Sequence, residues 1–190
     1  MAKVALGART ILYPLPTVLV GANVQGKPNF MAAAWCGVVN SRPPMMSVSL
    51  QHPRHTLKGI KENSTFSINI ASLDMIKEVD YCGIYSGAER DKVADCKFNV
   101  FYGKLKNAPL VGECPVNIEC RVLQTVKLPS HEMIIGQVEE VYVTDSCLTD
   151  GEPDVEKIKP FLWVARPSDE YWTFGKPVGK GHSLGKEMKE

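Results

Sequence analysis

No uncharged apolar run in this chain approaches the roughly 20 residues a helix needs to span a bilayer, so no membrane segment is expected. The opening stretch MAKVALGARTILYPLPTVLVGA is apolar in flavour. Lys3, Arg9, Pro14 and Pro16 interrupt it, however, and it lacks the unbroken core of a secretion signal. Six cysteines, Cys36, Cys82, Cys96, Cys114, Cys120 and Cys147, stand singly with no C-x-x-C pair, which favours reduced thiols over a disulfide framework. A cytoplasmic protein is the expectation. No Lys/Arg run forms a basic footprint and the formal net charge is +1, so no nucleic-acid partner is expected. The chain has no G-x-G-x-x-G after a strand and no G-x-x-x-x-G-K-[ST], which excludes a Rossmann fingerprint and a P-loop. No G-x-S-x-G elbow supports a hydrolase nucleophile. Among four histidines, His52 and His55 lie three apart, but no cysteine or carboxylate pattern completes a zinc signature, and no metal is expected.

What is present suits one globular domain: 190 residues, 44% hydrophobic and 23% charged, enough to bury a core without staples. Thr17–Asn23 reads as a strand, VQGK as a four-residue hairpin loop, and Asn29–Asn40 as the returning strand. Met46, Val48 and Leu50 alternate with Ser47, Ser49 and Gln51, the pattern of a strand with one apolar and one hydroxylated face. A helix is expected over Arg54–Glu62, a strand over Phe66–Ile70, and a second helix capped by Ser72. Gly83–Asp95 is a turn-rich loop passing into a short charged helix. Val100–Leu105, Val116–Thr125, Glu132–Thr144 and Phe161–Val164 are further strands. Long strands with a few short helices predict a mainly β (α+β) protein closed, or partly closed, into a barrel that removes most free edges. The domain is expected to span residues 1–174, with 175–190 a Gly/Lys-rich tail.

The densest chemistry lies between Asn29 and Thr56. Small side chains at Ala32, Ala33 and Ala34 lead into Trp35, so a flat ring could lie on that strand; crowding where barrel strands cross would give the same residues. Ser47, Ser49 and Gln51 offer polar groups for a sugar-like linker, or simply form a wet strand face. At Arg54-His55-Thr56 a strand ends and a helix begins, bringing unpaired amides, a guanidinium and a hydroxyl together. Such a junction seats a phosphate, though Thr at a helix start is also a plain cap. Lys92 would by default be a solvated charge, and His131, opening the most apolar strand, is either structural or a ligand.

The succession PTVLVGANVQGKPNFMAAAW, SRPPMMSVSLQHPRHT and NSTFSINI, followed by GIYSGAERDKV and SHEMIIGQVEEVYV, resembles the flavin reductase-like, FMN-binding split-barrel family, and within it the flavoredoxin group. The resemblance covers about Gly7 to Trp172. It implies a split β-barrel that binds FMN, with Asn29, Met31, Ala32, Ala33, Ala34 and Trp35 along the isoalloxazine. Ser47, Ser49 and Leu50 would border the ribityl chain, and Arg54, His55 and Thr56 would meet the phosphate. By the same resemblance Lys92 reaches the flavin or its phosphate and His131 lies beside the ring. An aromatic of the C-terminal strand, Trp163 or Phe161, covers it. The resemblance further implies a homodimer engaged in electron transfer, with a redox partner protein or NAD(P)H as donor. An NAD(P)H-dependent flavin or ferric reductase on the same fold is the alternative, and a barrel that has lost its flavin a third reading.

Overall fold

Val18–Val24 is buried at all seven positions, as happens in a strand whose sheet is covered on both faces. In the computed structural model, which describes residues 1–189, this segment is β2 of fourteen strands. In chain order these are β1 (Leu15–Pro16), β2 (Val18–Val24), β3 (Lys27–Ala33), β4 (Cys36–Ser41), β5 (Pro44–Gln51), β6 (Thr65–Ile70) and β7 (Val100–Tyr102). They continue with β8 (Pro109–Val111), β9 (Val116–Lys127), β10 (His131–Val143), β11 (Leu148–Thr149), β12 (Glu152–Pro153), β13 (Phe161–Val164) and β14 (Glu170–Thr173). The helices are α1 (His55–Asn63), α2 (Ile76–Ile84), α3 (Lys92–Asp95) and α4 (Val155–Ile158).

Seven strands form one antiparallel sheet in the order β3-β2-β6-β9-β10-β5-β4. Its two edge strands, β3 and β4, are consecutive in the chain and joined by Ala34 and Trp35 alone. From Ala33 to Cys36 the chain reaches about 11 Å at most, so the edges must lie close together and the sheet must curl into a barrel. Trp35 O accepts a hydrogen bond from Ser49 N of β5 at 2.8 Å, carrying the chain across the seam. Among the described residues no ladder joins β3 to β4, and the barrel is split there. Alternate residues of the strands, including Val20, Val48, Leu50, Phe66, Ile68 and Ile134, fill its interior. On the outer face Leu19 and Phe30 pack with Val79 and Cys82 of α2 and with Phe161 of β13. The β13–β14 hairpin extends this outer layer and pairs with β1.

Three expectations change. The VQGK loop is a two-residue turn, Gln25-Gly26, with φ of 50° and 76°; positive φ at both positions matches the right-handed twist of the flanking strands. The strand expected to run from Asn29 to Asn40 breaks at Ala34-Trp35, because its two halves belong to opposite edges of the sheet. Ser72 is extended and makes no side-chain cap; a 3-10 turn, Leu73–Met75, precedes α2 instead.

Candidate functional site

Where the barrel splits, a cavity of about 300 Å³ opens. One wall is Met31 to Trp35 from the end of β3 and the seam; Ser49, Leu50 and Gln51 of β5, His131, Trp163, Tyr171 and Thr17 complete it. A second cavity of about 320 Å³ lies between the start of α1 and the end of α2, lined by Arg54, His55, Thr56, Cys82, Tyr85, Ser86, Gly87 and Lys92. Met31, Gln51 and Arg54 line both, so the two form one site that changes from apolar walls to basic groups across the Arg54 side chain.

The basic half is assembled by helix ends. The first amides of α1 have no intrahelical acceptor and make this end partially positive. At the end of α2 the carbonyls likewise lack partners, and cations take two of them: Arg54 Nη1 donates to Gly83 O at 3.3 Å, and Lys92 Nζ to Cys82 O at 3.2 Å. Lys92 Nζ also donates to Tyr85 O at 3.2 Å. Lys92 is 3% exposed, so it is not a solvated surface charge. Burial, with the Arg54 guanidinium adding to it, holds its pKa below the usual 10.5. Thr56, 1% exposed, accepts from Asn29 Nδ2 at 2.7 Å, which leaves its own hydroxyl proton free to donate. Burial lowers the His55 pKa, helped by Lys58 and Lys92, so that its imidazole is neutral at pH 7. Gly87 is required here: a Cβ on it would overlap Asn29 Oδ1 and lie 2.7 Å from Asn29 Cγ.

The half at the barrel split, the aromatic cavity, differs in kind. Trp35 stacks on His131 with ring centroids 4.5 Å apart and planes 21° apart, and His131 Nδ1 is 2.8 Å from Ser130 Oγ. Trp163 lines this half too and pairs with Tyr171 in the β13–β14 register. Tyr171 donates to Asp80 Oδ1 of α2 at 2.8 Å; burial and this bond raise its phenol pKa. Cys36, next to Trp35, packs against the barrel core, and burial pushes its thiol up to about 11, which keeps it protonated at neutral pH.

Met31, Ala32, Ala33, Ala34, Trp35, Ser49, Leu50, Arg54, His131 and Trp163 all line the aromatic cavity, and Met31, Arg54, His55, Thr56 and Lys92 the basic one. Asn29 stands at the basic end against Thr56, not along the aromatic cavity. Ser47 lines neither cavity. Of the two aromatics proposed as a cover, Phe161 is buried in the outer core and Trp163 faces the cavity. Gln51, read in sequence as one of the linker-facing polar groups, lines both cavities, whereas Thr17, Tyr171, Ser86 and Gly87 escaped sequence reasoning. Only the Ser-Gly pair inside the turn-rich loop carried a local signal.

Two of the three buried side-chain polar atoms without a hydrogen-bond partner among the described residues, Thr17 Oγ1 and His55 Nδ1, belong to residues of this site, one in each half. Such atoms are costly unless a ligand or water meets them. An apolar-walled cavity lined by small and aromatic side chains, joined to a basic seat, suits a planar heterocycle carrying a phosphate.

Residues 9–166 match the flavin reductase like domain, and the chain belongs to that family. The crystal structure of a flavoredoxin from Methanosarcina acetivorans superposes with a TM-score of 0.95 at 39% identity, covering 99% of this chain and 100% of that one. The flavoredoxin of Desulfovibrio vulgaris (Miyazaki F) gives 0.89 at 40% identity, over 97% and 100%. An uncharacterized protein of Archaeoglobus fulgidus is 33% identical over 76% of this chain and 80% of its own. The barrel is therefore the split barrel of the flavin reductase like proteins. Within that family its similarity is to flavoredoxins, and it is a flavin-binding redox protein.

Proposed function

We propose that the flavin is FMN, bound non-covalently, and that the chain is an electron carrier. The observation that carries this reading is the joining of an apolar-walled cavity, lined by small and aromatic side chains, to a basic one across Arg54. An isoalloxazine would lie along Ala32 to Trp35 with His131 and Trp163 about it. Its phosphate would take the α1 amides, the Thr56 hydroxyl, Arg54 and Lys92. When bound, FMN supplies the one- and two-electron chemistry. The chain holds the ring, shields it with aromatics and neutralises the phosphate. His131 lines the aromatic cavity and Lys92 the basic one, which supports His131 as the group that biases the charge of the reduced ring. All six cysteines are free, which supports a cytoplasmic location. Exposed apolar side chains at Ile11, Leu12 and Tyr13 and at Val38 and Val39 of the edge strand β4 support a homodimer.

The test is anaerobic stopped-flow reduction of the FMN-loaded protein. The expected result is slow, weakly saturating reduction by NADH or NADPH and fast reduction by dithionite or a low-potential protein donor, because no dinucleotide-binding fingerprint serves the adenosine half of a nicotinamide cofactor. Rapid reduction saturating at micromolar nicotinamide would make the chain a reductase instead.

A further inference from the structure

Thr17 is 6% exposed, its hydroxyl oxygen is buried with no hydrogen-bond partner among the described residues, and the residue lines the aromatic cavity. Its position is set from both sides. The β1 residue Leu15 pairs with Trp163 on one wall, and Val18, the first residue of β2, pairs with Ala33 on the other. Thr17 is thus held between the aromatic wall and the small-residue wall of the slot. A buried hydroxyl left unpaired is a cost to the fold that valine, of nearly the same shape, would avoid. Asn29, Thr56, Ser67, Asn69 and Asn117, other buried polar side chains of the chain, all make hydrogen bonds to protein groups, so the unpaired state of Thr17 is not a general feature of this interior.

We propose that Thr17 is a ring-binding residue whose hydroxyl hydrogen-bonds a heteroatom of the flavin isoalloxazine; the proposal rests on the reading of this cavity as the flavin site. A hydroxyl both donates and accepts. It can therefore serve a ring carbonyl, or a ring nitrogen that accepts in the oxidised flavin and carries a proton in the reduced one. Because Thr17 does not line the basic cavity, its contribution is independent of the phosphate.

The experiment compares Thr17→Val and Thr17→Ser with the wild type by titrating FMN and riboflavin, recording bound-flavin absorption spectra, and melting the flavin-free proteins. Thr17→Val is expected to weaken both flavins by about threefold to tenfold, the range for one neutral hydrogen bond, and to shift the bound spectrum. Thr17→Ser should restore affinity and spectrum. The flavin-free valine variant should melt no lower than the wild type, which a merely structural hydroxyl would not allow. Unchanged affinity for both flavins, a loss confined to FMN, or a lowered melting temperature overturns the role of Thr17 while leaving the flavin site standing. A wild type that binds neither flavin overturns the site itself and this inference with it.

Discussion

Replacing Gly87 by alanine adds one methyl group where the chain has no room for it. The new Cβ would overlap Asn29 Oδ1, lie 2.7 Å from Asn29 Cγ and 3.1 Å from His55 Cδ2. The Gly87 backbone lies outside the left-handed region, so alanine itself is not strained; the neighbour must move. Asn29 is buried on β3 and can clear the methyl only by turning its amide, which breaks its 2.7 Å hydrogen bond to Thr56. Overpacking of this kind costs about 1–3 kcal/mol of stability. Its effect on binding is sharper. Without Asn29 donating to it, the Thr56 hydroxyl is no longer held with its proton free. The lost hydrogen bond to a charged phosphate is worth about 1.5–3 kcal/mol, or about 10- to 150-fold in affinity. Fluorescence titration should show that loss for FMN and little change for riboflavin, with urea unfolding reporting the stability term separately. Equal losses for both flavins, or FMN binding as in the wild type, would refute the assignment of Asn29, Thr56 and Gly87 to the phosphate seat.

Lys92 makes the seat pH-dependent. Unfolded, it keeps its proton to about 10.5; folded, burial releases it earlier, so flavin-free stability rises with pH in the window below 10.5 while FMN affinity falls there. Riboflavin affinity should stay level and Lys92→Arg should abolish the fall, since a guanidinium does not titrate in that range; a parallel fall for riboflavin in pH-resolved titrations would remove Lys92 from the phosphate. Ala33→Leu places bulk in the slot and should weaken both flavins about fivefold to a hundredfold while the barrel still folds. Circular dichroism and flavin titration check this, and a variant that unfolds without selective loss of flavin would mark Ala33 as ordinary core.

Much of the fold could be read locally. A strand's side chains alternate with a period of two, so β5 and β6 emerged from the run of Met46 to Gln51 and from Phe66 to Ile70 nearly to the residue, and α1 from the break at His52-Pro53. Residue type and order also brought Arg54 and Thr56 to a helix start, and the small residues and Trp35 to one continuous segment, the end of β3 and the seam after it. Those are short-range properties of the chain. Tertiary structure decided which strands are edges. Two linking residues then forced the barrel shut and opened the slot at the seam. It also decided the fate of Lys92: nothing in Glu89-Arg90-Asp91-Lys92 reveals that its ammonium will meet carbonyls at the end of α2, a helix that ends eight residues earlier. Phe161 and Trp163 have equivalent claims in sequence, being two residues apart on one strand; the cavity receives Trp163 because Phe161 is taken by the core under α2. Thr17 and Tyr171 carry no local mark at all, and Gly87 only that of a glycine in a turn-rich loop. Each acquires its role from residues distant in sequence: Thr17 from the pairing of Leu15 with Trp163 and of Val18 with Ala33, Tyr171 from Asp80 and Gly87 from Asn29, and such pairings exist only once the chain has closed on itself.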